Sequence, residues 1–240
     1  MSTIENTILV VPVYKPGRYF NQFIRAYDQQ EQKPGKLLFI ETESDENIPE
    51  NIRFDNLEIR RIRKDEFSHG ATRQSAIDIK NGFAYVIYLT QDAVLTDHDS
   101  LATILKYFDD KGVAAVCGRQ LPRKEAGPIE AHLRLYNYGK ESKVTEFNGI
   151  KSLKSIMLSN SFAAYRISAL TEVGGFPDDI IFGEDMYIAA KLLKNGYKVA
   201  YASDACVYHS HDYSVLQEMK RYFDMGVFHA REPWIRQEFG

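Results

Sequence analysis

The chain has 240 residues, of which 44% are hydrophobic and 26% charged, with a formal net charge of −3. That length and balance suit one globular α/β domain and exclude a disordered chain. The small net charge gives no global pull toward nucleic acid, so no nucleic-acid partner is expected.

Thr7–Val13 reads as a buried first strand, closed by Pro16 and Gly17 in a turn. Tyr19, Phe20, Phe23, Ile24 and Tyr27 recur at helical spacing over residues 18 to 30. Strands are predicted over Lys36–Glu41 and Leu57–Ile62, then a helix over Ala71–Lys80 with Ala76, Ile77 and Ile79 inward. Ala84–Leu89 is an apolar run that reads as a buried strand. A helix over Leu101–Phe108 and a strand over Val113–Cys117 follow. Gly118 to Asn160 reads as irregular, broken by Pro122, Gly127, Pro128, Gly139 and Gly149. Ser161–Ile167 is a predicted strand and Glu184–Lys194 a helix closed by Asn195-Gly196. Lys198–Tyr201 and Ala205–Tyr208 read as two short strands. Ser214–Phe228 reads as an amphipathic helix with Val215, Leu216, Met219, Tyr222 and Phe223 on one side. The βαβ alternation predicts a mostly parallel central sheet flanked by helices.

Cys117 and Cys206 sit in apolar runs and read as core residues of a protein in a reducing compartment. No basic-then-apolar leader and no membrane-length apolar run is present, so a cytoplasmic protein is expected.

Asp92 stands just beyond a buried strand, where an open α/β sheet places its ligand chemistry. A hard divalent cation takes such oxygen ligands and keeps substrate phosphate in its shell. Asp97 and Asp99 are better placed to cap the following helix, which leaves Asp92 without a structural task. Glu41 or Glu43 can accept a hydrogen bond from a pyrimidine N–H or a ribose hydroxyl, although an acidic loop after a strand is commonly just solvated. In Phe67-Ser68-His69-Gly70-Ala71-Thr72-Arg73, a tight turn leads into a helix start where Arg73 can grip phosphate. A capped helix with a surface arginine explains the same residues equally well. Glu184 and Asp185 open a helix, which the macrodipole favours and which also suits a carboxylate that accepts a proton. His209 and His211 alternate in an extended segment, so both face one side and can ligate a metal.

The ordered set of these segments resembles the family 2 glycosyltransferases, closest to their bacterial rhamnosyltransferase branch. The set runs from Val10-Val11-Pro12-Val13-Tyr14 through the segment at 67 to 73 and Leu89-Thr90-Gln91-Asp92-Ala93. Gly174-Gly175-Phe176, Phe182-Gly183-Glu184-Asp185, Val207 to Ser214 and Arg221 to Gly226 complete it, nearly the whole chain in order. The resemblance implies a GT-A (Rossmann-like nucleotide-diphospho-sugar transferase) fold in a single domain over 1–240. Residues 1–117 would bind the nucleotide sugar, 118–213 the acceptor, and 214–240 would form the C-terminal amphipathic helix, with a truncation expected at Gly240.

It implies that Pro12 and Tyr14 flank the base and that Glu41, Glu43, His69, Arg73, Thr90 and Gln91 lie on the donor side. Asp92 with His209 or His211 would hold Mg²⁺ or Mn²⁺, and Asp185, with Glu184 beside it, would be the general base. Thr90 stands where relatives carry the first acid of an Asp-x-Asp motif. The implied activity is inverting transfer of L-rhamnose from dTDP-rhamnose to a saccharide or lipid-linked acceptor in cell-surface polysaccharide (O-antigen or capsule) synthesis. The alternatives are a UDP-hexose or UDP-N-acetylhexosamine donor, or a non-catalytic sugar-nucleotide-binding protein. The final aromatic helix would contact the inner face of the cytoplasmic membrane, the domain itself or a homodimer partner.

Overall fold

The computed structural model describes residues 3–77, 82–150, 152–180, 182–211 and 213–240. In chain order the elements are β1 (Thr7–Val13), α1 (Arg18–Asp28), β2 (Lys36–Thr42), β3 (Leu57–Ile62), α2 (His69–Gln74), β4 (Tyr85–Leu89) and β5 (Val94–Leu95). There follow α3 (Ser100–Lys106), β6 (Val113–Leu121), α4 (Pro128–Asn137), β7 (Lys143–Thr145), β8 (Phe162–Arg166) and α5 (Ile167–Glu172). The chain ends with α6 (Glu184–Lys194), β9 (Lys198–Tyr208), α7 (Val215–Arg231) and α8 (Pro233–Phe239).

One sheet runs β3-β2-β1-β4-β8-β6-β9-β5, with β7 on β9. The β3-β2-β1-β4 half is wholly parallel, and β6 pairs β9 in parallel over most of its length. β8 runs antiparallel between β4 and β6. Alternation along each strand divides the apolar residues between two faces. Ile8, Val10, Leu38, Ile40, Val86 and Tyr88 join one core with α5, α6 and α8. Leu9, Val11, Leu37, Phe39, Ile87 and Leu89 join the other with α1 and α3. There Phe20, Phe23 and Tyr27 of α1 are fully buried, and both phenylalanines meet Phe39 edge-on. Both cysteines are buried and free.

Several sequence expectations shift. The two short strands at 198–208 are one continuous strand, β9, whose register against β6 slips between Gly118 and Arg119. The stretch from 118 to 160 is less irregular than its prolines and glycines suggest. Four residues extend β6, Pro128 opens α4 at a position that lacks a helical acceptor anyway, and β7 follows. α2 ends at Gln74, before the predicted Lys80; Ala76 and Ile77 are buried as expected, and Ile79 lies outside the described residues. The apolar stripe of α7 shares one side but faces away from the body, with Val215, Leu216, Met219, Tyr222 and Phe223 all exposed.

Gly70 lets α2 touch the turn before α6. A Cβ there would fall 1.6 Å from the carbonyl oxygen of Pro177, a backbone atom that cannot swing aside. Gly70→Ala is therefore expected to destabilise the protein by about 1–3 kcal/mol, the usual cost of overpacking. A lowered urea midpoint at unchanged m value would register it, and an unchanged midpoint would refute this contact.

Candidate active site

β4 ends at Leu89, and the tight turn that follows carries Asp92 to the carboxyl edge of the sheet. The two-residue strand β5 then pairs with the end of β9, Val94 opposite Tyr208. That pairing brings the residues after β9 beside Asp92. Nε2 of His209 lies 3.5 Å from Oδ1 of Asp92, and Nδ1 of His211 lies 3.7 Å from Oδ2. One ligand atom from each residue falls within 4.8 Å of the others. Two ligands about 2.2 Å from one ion stand at most roughly 4.4 Å apart, so a contraction of a few tenths of an ångström would close the set.

Two observations fit this cluster to a divalent cation. Nε2 of His209 is buried and has no hydrogen-bond partner. The donor set, one carboxylate and two imidazoles, is metal-binding chemistry. Burial pushes the His209 ring down from its ordinary pKa and pushes His211 down to about 4, so both are neutral ligands at neutral pH. Burial alone would raise the Asp92 carboxyl, but the groups packed around it, with the Arg123 guanidinium as the lasting charge among them, hold it well below the usual range. With the imidazoles neutral, Arg123 supplies the standing positive charge. Its guanidinium lies 3.1 Å from Oδ2 of Asp92, also binds the Asp92 carbonyl, and stacks 3.7 Å over the Tyr19 ring.

The opposite wall comes from α6. Gly183 adopts a left-handed φ of +88°, turning the chain so that Glu184 and Asp185 occupy the first helical turn. Glu184 is buried and pairs with Nη1 of Arg73 at 3.2 Å, and Nδ2 of Asn160 donates to it at 3.1 Å. Tyr165 donates its hydroxyl to Oδ1 of Asn160 at 2.6 Å, which fixes the amide. Asp185 is half-buried and accepts from its neighbour Met186 N–H at 2.8 Å and from Asn160 N–H at 3.3 Å. Burial, and then the negative charge of Glu184, push the Asp185 carboxyl up to about 7. A cleft of about 400 Å³ joins the two walls, lined among others by Thr90, Asn160, Asp185, His209 and His211.

The structure thus gathers Asp92, His209, His211, Thr90, His69 and Asp185 around one cleft. Other expected site residues have different tasks. Arg73 is not a free phosphate grip, because it is buried against Glu184. Glu184 is correspondingly committed to that ion pair. Gln91 is a strut: its Oε1 accepts from Tyr14 N–H at 2.7 Å and its Nε2 donates to Tyr14 O at 2.9 Å. The Glu41 carboxylate is fully buried and accepts from Ile48 N–H and from Nε of Arg61 at 2.8 Å, so the loop after β2 uses it as an anchor. Glu43 and Tyr14 are exposed and Pro12 half-buried at the end of β1 and β2. Arg123, Asn160 and Gln120 were not singled out by the sequence, because each acts on a partner far away in the chain.

Residues 85–223 match the family described as glycosyl transferase family group 2. The chain is 43% identical over 235 residues to the O-antigen chain rhamnosyltransferase WbaN of Salmonella anatum. It is 44% identical over 235 residues to the O-antigen chain rhamnosyltransferase RfbN of Salmonella typhimurium. Each alignment covers 97% of this chain and 75% of the relative. Among solved structures, the mannosyltransferase PcManGT from Pyrobaculum calidifontis, in complex with GDP-Man and Mn²⁺, matches with a TM-score of 0.65 and 17% identity. That match covers 98% of this chain and 68% of PcManGT. S. aureus TarS 1-349 matches with a TM-score of 0.61 and 14% identity, covering 84% of this chain; the chain spans 59% of the TarS structure. At such identities the shared feature is the GT-A fold.

Removing one member of the Arg73–Glu184 pair strands a buried charge. Arg73→Ala is expected to cost about 3–5 kcal/mol in urea unfolding, and the double change Arg73→Met with Glu184→Leu distinctly less. Equal costs for the single and double variants would show that the charges are not the reason.

Proposed function

The chain belongs to glycosyl transferase family group 2, and on that premise we propose that it is an inverting rhamnosyltransferase of O-antigen synthesis. The donor in this reading is dTDP-L-rhamnose, and the acceptor is a saccharide or a lipid-linked saccharide. The observation that carries the reading is the placement of a raised-pKa carboxylate, Asp185, across one cleft from the Asp92–His209–His211 cluster. The identity to two O-antigen chain rhamnosyltransferases supports the choice of sugar.

In the proposed reaction an acceptor hydroxyl attacks the anomeric carbon from the face opposite the diphosphate. Asp185 takes the hydroxyl proton as the new bond forms. Its pKa near neutrality matches that task, since a much more acidic carboxylate would be a weaker base. Mg²⁺ or Mn²⁺ held by Asp92, His209 and His211 would neutralise charge on the departing nucleotide diphosphate. The backbone N–H of Asn160, whose side-chain amide is tied to Glu184, holds Asp185 in place, and the buried Thr90 hydroxyl, which has no protein partner, is free to meet the donor. Gln91 keeps the Tyr14 loop set against the nucleotide side of the sheet.

No helix among the described residues is long and apolar enough to cross a membrane. We place the protein at the inner face of the cytoplasmic membrane. The outward apolar stripe of α7 supports this, as a surface that a lipid-linked acceptor or a second copy of the chain would cover.

A thermal-shift panel with Mn²⁺ tests the donor. Donor at a hundredfold over its Kd should stabilise by about 2.7 kcal/mol. For a chain of this length that is a rise of roughly 5–10 °C in Tm. dTDP-rhamnose should give this shift, UDP-sugars much less, and Asp92→Ala should lose its metal-dependent part. A larger shift with a UDP-sugar would reassign the donor.

Asp185→Asn should abolish transfer while nucleotide binding persists. The base must be deprotonated to work and its pKa is raised. Activity should therefore climb with pH through about 7 and fall away below it. Full turnover by the variant, or a flat profile between pH 6 and 8, would remove Asp185 from the role.

A further inference from the structure

The His209 ring is held by a relay that runs through β6 to α4. Its Nδ1 lies 2.8 Å from Oε1 of Gln120, in β6. Nη1 of Arg134, in α4, donates to the same oxygen at 2.6 Å, and Nε2 of Gln120 donates to Ser159 Oγ at 2.9 Å. A guanidinium has donors and no acceptor. The Gln120 atom facing it must therefore be the amide oxygen, and the amide cannot be reversed without setting N–H against N–H. An amide oxygen only accepts, so the His209 nitrogen beside it carries the ring proton. A neutral imidazole has one N–H, which leaves Nε2 with a bare lone pair. That is the nitrogen found buried, unpartnered and directed at Asp92.

The relay is itself anchored. Nε of Arg134 donates to Oε1 of Glu130 at 2.7 Å, and the backbone N–H of His211 donates to that oxygen at 3.2 Å. One buried carboxylate on α4 thus steadies the chain at both histidines.

Resting on the metal-site reading above, we propose that Gln120, oriented by Arg134, is a positioning residue that fixes the His209 tautomer so that Nε2 meets the cation. Partners of this kind, accepting from the far nitrogen of a ligating histidine, fix its ring and raise its basicity. With two imidazoles and a single carboxylate the site consequently favours cations that accept nitrogen, Mn²⁺ and Co²⁺, over Mg²⁺, which prefers oxygen.

The test is titration of the full chain with Co²⁺, Mn²⁺ or Mg²⁺ alone, followed by calorimetry and by the visible absorption of Co²⁺. The wild type should bind Co²⁺ and Mn²⁺ at least tenfold more tightly than Mg²⁺. Gln120→Leu, which removes the acceptor, should weaken Co²⁺ binding roughly 10–100-fold and alter its spectrum. Gln120→Glu keeps an oxygen for both Arg134 and His209 and should stay within about threefold of the wild type. Wild-type binding by Gln120→Leu, equal losses in both variants, or Mg²⁺ bound as tightly as Co²⁺ would each overturn the proposal. Should Gln120→Leu fail to fold, the ¹⁵N shifts of the wild-type His209 ring decide: a proton on Nε2 refutes the relay. No nucleotide sugar enters these measurements, so a mistaken donor would leave their result intact.

Discussion

The ion pair between Arg73 and Glu184 is the constraint around which the cleft is organised. Both side chains are nearly closed off from water and lie 3.2 Å apart. Removing two charges from water is expensive, and their mutual attraction offsets it only when further hydrogen bonds complete the shell. Those bonds are present in part, since Nε of Arg73 is buried without a partner. Arg73 donates to the His69 carbonyl at 2.8 Å, its own carbonyl accepts from the Tyr88 hydroxyl at 2.8 Å, and Asn160 donates to Glu184. α2, β4, the approach to β8 and the start of α6 are tied together at a single point. Asp185 is linked to that point through Asn160, and burial first, then the charge of Glu184, raises its pKa. Its neighbour's fixed negative charge, in a site shielded from water, opposes its own ionisation.

The facing wall works by an opposite balance. Asp92 is the single carboxylate of the cluster and Arg123 lies against one of its oxygens. The imidazoles add ligand atoms without adding charge. The cluster has little net negative charge with which to attract a cation from solution. Retention of a cation there would rely on nitrogen affinity and on whatever phosphate oxygens complete its shell, since a diphosphate would bring the missing negative charge. In the proposed reaction this would couple cation binding to nucleotide binding more tightly than a site with two or three carboxylates.

Much of this was legible in the sequence, and the reason is local pattern. Apolar runs gave β1, β2, β4 and the first half of β6, because a strand covered on both faces needs continuous hydrophobicity. His209 and His211 were read correctly as facing one side, since alternation in an extended segment is a local property. Arg73 and Glu184 were also singled out, but their pairing spans 111 positions (184 − 73) and sequence cannot show which of two partners a charge has chosen. Gln91 and Glu41 show the same limit: in the sequence each looked available to a ligand, and each is engaged by backbone that folding brings to it. The stretch from 118 to 137 looked irregular because Pro122, Gly127 and Pro128 interrupt it. Yet it supplies Gln120, Arg123, Glu130 and Arg134, long polar side chains that brace the turn after β4 and the residues after β9. No motif spacing marks such residues, since their partners lie far away in the chain.

The Thr90-Gln91-Asp92 triplet divides its work among three directions. Gln91 turns to the Tyr14 loop, Asp92 to the histidines, and Thr90 into the cleft, where its hydroxyl is buried without a protein partner. An acid at position 90 would line the same cleft as Glu184 and Asp185. A third carboxylate there would raise the cost of ionising Asp185 further, because like charges in a shielded site push each other's pKa upward. A carboxyl already near neutrality has little room for that rise before it is protonated at neutral pH. A neutral residue at position 90 is therefore compatible with the proposed base across the same cleft, and in that proposal the two imidazoles would supply the coordination that an acid there would have given.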